Sequence, residues 1–172
     1  MNSGRKSALE FLKANVKLIT SNAWNELFVK ARGENDVQWN ELMSILLSPD
    51  LGYIPEDIMS QLSDGEIPDQ FFEDQTSITN MIIPSNIEII GGVAFGNCEN
   101  LKSVKIEDGV AGISQYAFYN CCNLETITIP SSVIAIGSYV FKRCPRVLIK
   151  ISKASPIIKT LEDEGYAIEY ID

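Results

Sequence analysis

Histidine is missing altogether from the 172 residues. Its absence removes the commonest general base and imidazole metal ligand, and with them any Ser-His-Asp or Cys-His constellation. Lysine and arginine are missing from the 69-residue stretch between Arg32 and Lys102, which carries 13 acids. Long apolar runs are missing too, and nothing approaches the ~18 consecutive apolar residues of a membrane span. Near the start, Arg5 and Lys6 are followed by Glu10, Lys13, Asn15 and Lys17. These interrupt what would be the apolar core of an export signal, so a cytoplasmic location is expected. Cysteine is sparse, at four residues. Three of them (Cys98, Cys121 and Cys144) recur in register, which reads as packing and not as a disulfide framework.

What is present is an ordinary globular composition, 45% hydrophobic and 22% charged, with a net charge of −9. It suits one compact domain or a small domain fused to a repeat array. The negative charge disfavours direct nucleic-acid binding by the whole surface. The charge is also uneven, because Lys142, Arg143, Arg146, Lys150, Lys153 and Lys159 have no acid among them. An acidic front and a basic rear are expected.

Between Ile78 and Arg146 one pattern is written three times at a spacing of 23 residues. Eight apolar columns align without a gap: Ile78/Leu101/Leu124, Met81/Val104/Ile127, Ile83/Ile106/Ile129, Ile87/Val110/Val133, Ile90/Ile113/Ile136, Ala94/Ala117/Val140, Phe95/Phe118/Phe141 and Cys98/Cys121/Cys144. Each copy opens with a segment that alternates inward and outward like a short strand. Pro84 and Pro130 close that segment in two copies. Glu107 stands there in the middle one, and with Ser114 in place of glycine it is expected to loosen the middle copy's turns. A second apolar pair, such as Val133 and Ile136, predicts another short extended leg. The run from Gly137 to Cys144 predicts a one-turn helix or tight bend with Phe141 and Cys144 inward. No coil of this kind hides its own apolar face; stacking on neighbours does that.

The flanks differ. Residues 1–62 read as a helical domain, with helices over 5–31 (broken at Ser21-Asn22), from Asp36 to Leu47 and from Glu56 to Leu62. Trp24 and Trp39 are best placed in its core. Residues 63–146 form the repeat array: a half repeat at Glu66–Ser77, in which Phe72 takes the phenylalanine column and Gln75 the cysteine column, then three full repeats. Residues 147–172 read as a strand-helix-strand cap. Val147, Ile149 and Ile151 alternate, Ser155-Pro156 starts a helix that Gly165 ends, and Tyr166–Ile171 alternates again. The fold class is α+β.

The runs Ile83-Pro84-Ser85-Asn86-Ile87, Ile90-Gly91, Ala94-Phe95-x-x-Cys98 and Ile129-Pro130-Ser131-Ser132-Val133 resemble the BspA-type leucine-rich repeat. Asn120-Cys121-Cys122-Asn123-Leu124 resembles it as well. The resemblance covers about residues 66–146 and implies a solenoid that binds protein or ligand, with no shared catalytic activity. The helical lead-in followed by Ile67-Pro68-Asp69-Gln70-Phe71-Phe72 is similar to the front end of short, often phage-encoded members.

No catalytic or metal constellation emerges. Cys122 is out of register and expected to face outward without a cation to activate it. Gly91-Gly92 lacks the spacing and lysine of a phosphate loop, and the acids from Asp64 to Asp74 do not match a calcium loop. No cofactor is expected, and nothing selects a carboxylate pair for hydrolysis. Binding remains. Outward positions on the first strand of each coil are Asn80, Ile82, Ser103, Lys105, Thr126 and Thr128, continued by Leu148 and Lys150. At ~4.8 Å per strand this face is only ~20 Å wide, which is narrow for a standard interface. The helical part is therefore expected to contribute, with Asp57, Asp64, Glu66, Asp69, Glu73 and Asp74 as an acidic patch. The expected function is non-enzymatic protein binding. The alternative is a phage-type inhibitor, anti-CRISPR or other anti-defence, that blocks a basic nucleic-acid-binding groove by acidic mimicry. The acids serve solubility alone in the blander reading. Self-association through the opposite charges is a third class, and an adhesin-like surface role, against which the interrupted leader argues, a fourth.

Overall fold

The chain divides into two units, Met1–Tyr53 and Ile54–Asp172. The structure, a computed structural model, describes Leu47, residues 55–60, Leu62 and residues 65–171. The helices expected over 5–31 and from Asp36 to Leu47 lie outside the described residues, apart from buried Leu47 itself. A short helix α1 (Pro55–Met59) stands where one was expected from Glu56.

From Glu66 onward the chain winds into stacked coils whose strands fall into two parallel sheets. Long strands β2 (Asn80–Ile83), β4 (Ser103–Ile106), β6 (Thr126–Ile129) and β8 (Leu148–Ile151) line up side by side. Short strands β1 (Glu66–Ile67), β3 (Ile89–Ile90), β5 (Gly112–Ile113) and β7 (Ala135–Ile136) form the second sheet. Register follows the repeat, with Met81 opposite Val104 and Val104 opposite Ile127. Along β2 and β4 the inward residues are buried and their neighbours face out, as strand geometry demands. Of the eight apolar columns, only Ile136 is less than fully buried.

Of the one-turn helix or tight bend expected on the third side of each full coil, the bend is what forms. This side is a run of tight turns with two left-handed residues per coil. Gln70, Val93, Tyr116 and Tyr139 form one left-handed column (φ 56 to 60°), and Asp74, Asn97, Asn120 and Arg143 the other (φ 58 to 66°). Such φ values are costly for bulky residues and mild for Asn and Asp. A backbone ladder between coils offsets that cost. Val93, Phe95 and Asn97 donate their N–H groups to the carbonyls of Gln115, Ala117 and Tyr119 at 3.2, 2.8 and 2.8 Å. Tyr116, Phe118 and Asn120 repeat the pattern to Ser138, Val140 and Lys142.

Inside, the phenylalanines stack. Ring centroids lie 5.1 Å apart for Phe72–Phe95 and Phe95–Phe118 and 5.8 Å for Phe118–Phe141, with interplanar angles of 16° or less. Phe71 closes one end edge-on and Tyr166 the other. Beside them the cysteines form a second rung: the thiols of Cys98, Cys121 and Cys144 donate to the carbonyls of Phe72, Phe95 and Phe118, each at 3.1 Å. Gln75, buried at the cysteine position of the half coil, donates to the Glu73 carbonyl.

Two departures in the middle coil do not loosen it. Glu107 keeps the N–H that proline lacks and donates it to Ile83 at 3.0 Å. Ser114 donates to Ile90 at 2.8 Å, matching the Gly91-to-Ile67 bond at 2.8 Å. At Gly91 the small residue is obligatory, since a Cβ there would lie 2.5 Å from the Ile67 carbonyl oxygen.

Beyond Arg146 the stacking continues. The helix α2 (Ile158–Asp163) starts later than Ser155-Pro156, because residues 153–157 turn first. It buries Leu161 and ends at Gly165, whose φ of +81° suits a helix C-terminus. Strand β9 (Ala167–Tyr170) then pairs parallel with β8, so the expected cap extends the long-strand sheet to five strands.

Phe118 stacks on both sides and is fully buried. Replacing it (Phe118→Ala) is expected to cost about 3–5 kcal/mol. Replacing exposed Ile134 by threonine is expected to cost less than about 0.5 kcal/mol. Denaturant unfolding monitored by circular dichroism separates the two.

Candidate protein-binding surface

Strand alternation dictates that each residue between two inward ones points away from the core. The eight sequence-predicted face residues therefore fall into two columns on the outer face of the long-strand sheet. Asn80 lies beside Ser103, Thr126 and Leu148, and Ile82 beside Lys105, Thr128 and Lys150. Asn80, Ile82 and Lys105 are exposed, and the other five are half-buried. Six of the eight, all but Leu148 and Lys150, line a groove of about 470 Å³.

The polar groups in this groove are tied to one another. The Ser103 hydroxyl donates to Asn80 Oδ1 at 2.7 Å. Lys105 pairs with Glu107 at 3.3 Å and Lys150 with Glu169 at 3.6 Å. Both ion pairs are largely solvated and hold little stability. Strand β9 adds Ala167 and Glu169 to the columns, beyond Leu148 and Lys150.

One residue that sequence reasoning assigned no role sets the limit of this face. Glu56 on α1 accepts the backbone N–H of Ile82. Strand β2 is the edge of its sheet, and an edge N–H invites pairing with another chain unless something covers it. Asn86 fastens the same helix by donating to the Met59 carbonyl at 3.2 Å. The signal in sequence was faint: one acid in a short helix, distant along the chain from the strand it covers.

The acidic patch is less of a unit. Asp64 lies outside the described residues, and Asp57 lies on α1. Glu66 is exposed on β1 of the short-strand sheet, whereas Asp69, Glu73 and Asp74 lie on the turn side of the first coil. Asp69 has a structural task, accepting the Gly92 N–H with its carboxylate. Glu73 accepts from the Gln70 amide at 2.9 Å. Among the described residues no cluster of His, Cys, Asp or Glu is arranged to hold a metal ion.

The thiols are buffered by their surroundings. Burial pushes Cys98 from an ordinary 9.0 up to about 12, with Asp74 and Glu73 adding to the rise. The neighbouring Cys144 thiol, together with burial, pushes Cys121 up as well. Cys122 is only half-buried, its sulfur 3.8 Å from the Glu99 carbonyl oxygen, so it does not face fully outward as expected.

This geometry has counterparts. The chain matches the BspA type leucine-rich repeat region over residues 65–163, in six copies, and belongs to that family. It is similar to a leucine-rich repeat protein from Bacteroides ovatus, at 22% identity and a TM-score of 0.54 over 62% of this chain and 28% of that one. It also resembles a leucine-rich repeat protein from Bacteroides capillosus at 29% identity (TM-score 0.44, 49% of this chain and 62% of that one). A leucine rich cell surface protein from Faecalibacterium prausnitzii is similar at 24% identity (TM-score 0.44, 52% and 30%). The chain thus spans 28% of the Bacteroides ovatus protein, with which it shares the fold. No curated protein matches it. No described helix is long and apolar enough to cross a membrane.

The raised thiol values have a sign. Cys98 is neutral when folded up to about pH 12, while an unfolded thiol ionises near 9.0. Its contribution is intact below pH 9 and is lost as pH climbs from 9 toward 12, a fall of a few kcal/mol by order of magnitude. Urea midpoints are expected to hold steady from pH 7 to 8.5 and then drop. A Cys98→Ala variant is expected to show a shallower drop.

Proposed function

We propose that this chain is a non-enzymatic protein-binding module acting through the outer face of its long-strand sheet. The observation that supports the reading is the pair of parallel columns over a groove, with hydroxyl, amide and ammonium groups projecting at the strand spacing. A rigid, regularly spaced polar face suits recognition of another protein's surface. The sequence has no histidine, and among the described residues no cluster is arranged to hold a metal ion, which is consistent with this reading. The family's leucine-rich repeats supply the precedent for a binding scaffold.

The acidic stretch is the second contributor in this reading, and a charge-mimicking inhibitor of a basic nucleic-acid-binding groove, anti-CRISPR or other anti-defence, is its narrower form. That form rests on uneven charge and on the lead-in's likeness to phage-encoded members. Asp69 weakens it, because its carboxylate is already engaged by Gly92. A cytoplasmic site of action, inside a host if the chain is phage-encoded, belongs to the same proposal.

The test is comparative capture from cell lysate with mass spectrometry. Ile82 and Lys105 are exposed, so Ile82→Glu with Lys105→Glu is expected to leave folding within about 0.5 kcal/mol of the parent. Partners of the parent chain are expected to be lost from this variant; full retention overturns the face reading. Conversion of Glu66, Asp69, Glu73 and Asp74 to their amides addresses the mimicry form. There, capture is expected to weaken and lose its salt dependence, and an unchanged partner set removes that form.

A further inference from the structure

Away from the groove, the turn side of the last two full coils carries an aromatic and cationic cluster. Tyr116 stacks on Tyr139 at 5.7 Å and meets Tyr119 edge-on at 5.9 Å. Lys142 Nζ lies 4.9 Å from the Tyr139 ring centre and 5.8 Å from that of Tyr116, and the Arg143 guanidinium lies 5.6 Å from Tyr119. Lys142 and Arg143 are exposed, and Tyr139 is 49% exposed.

Two features of this cluster run against what stability alone selects. First, the protein has 23 acids to 14 bases, yet no carboxylate among the described residues pairs with Lys142 or Arg143. Glu164 uses its carboxylate to accept the Tyr139 backbone N–H. Second, the left-handed column holds Asp74, Asn97 and Asn120, types that tolerate this conformation, and then Arg143. Asn120 extends the column by donating to Asn97 at 3.0 Å. Arginine ends that side-chain ladder and accepts a less favourable φ in order to stand over Tyr119. Rule-breaking of this sort is expected where function outweighs local stability.

We propose that this cluster is a second docking site, for an acidic peptide segment of a partner protein. Lys142 and Arg143 take up carboxylates, and the tyrosines wall the site and supply hydroxyls. Charge complementarity selects the anion. A nucleic acid is disfavoured because Lys142 and Arg143 stand over tyrosine ring faces on which bases would stack.

The test is fluorescence anisotropy of the full chain with a short labelled peptide of alternating glutamate and glycine, beside a labelled oligothymidylate of equal charge. The peptide is expected to bind, more weakly as salt rises, and to lose at least about fivefold in affinity with Lys142→Gln or Arg143→Asn. Lys102→Gln, at an exposed position just before β4 that belongs to neither surface, is expected to leave peptide binding unchanged. Arg143→Asn also separates roles, since it is expected to unfold at the same temperature as the parent or higher while binding less. Absence of peptide binding, equal binding by both variants, or preference for the oligothymidylate overturns the proposal.

Discussion

Stacked phenylalanine rings set the terms for the rest of this solenoid. Parallel strands sit ~4.7–4.9 Å apart, and the Phe72, Phe95 and Phe118 rings follow at 5.1 Å. Free aromatic pairs favour offset or edge-on contact over face-to-face stacking. Near-parallel rings at this centroid distance are offset, so the backbone spacing repeats one of the favoured contacts from coil to coil. Where it stops acting, edge-on geometry returns: Phe71 meets Phe72 at 78° and Tyr166 meets Phe141 at 89°. The cysteine thiols and the turn-side backbone ladder lock the same rungs from the side. Each coil is thus held to its neighbour by ring, thiol and amide together, and the outer surface is free to vary.

That division explains what could be read from the residues. Ile78 to Cys144 announced itself because inward positions repeat at a fixed interval and bury as apolar columns; even the half coil was legible through Phe72 and Gln75. The left-handed residues were not, because Val93, Tyr116 and Arg143 are not residue types that signal a turn. Their φ values follow from inter-coil hydrogen bonds that no local propensity encodes. Glu107 misled for a related reason. Loss of a turn-favouring proline looked like loosening, whereas the regained N–H found a carbonyl one coil away.

The candidate surface was legible to a lesser degree. Strand alternation placed Asn80, Ile82, Ser103, Lys105, Thr126, Thr128, Leu148 and Lys150 on one face. It could not show that Glu56 covers the edge of that face or that β9 widens it. The tyrosine and cation cluster was visible only as columns at the same interval, with Val93, Tyr116 and Tyr139 in one and Gly96, Tyr119 and Lys142 in another. Apolar periodicity draws the eye to the core; functional variation sits in the columns between.

The two edge-on rings have a bearing on how such an array changes length. Phe71 and Tyr166 both belong to segments outside the three full repeats, so neither terminal contact depends on how many rungs separate them. Whole repeats can be gained or lost between the ends without remaking either one, each moving the far end by about one strand spacing. The molecule is in that sense a ruler with fixed stops and an adjustable middle.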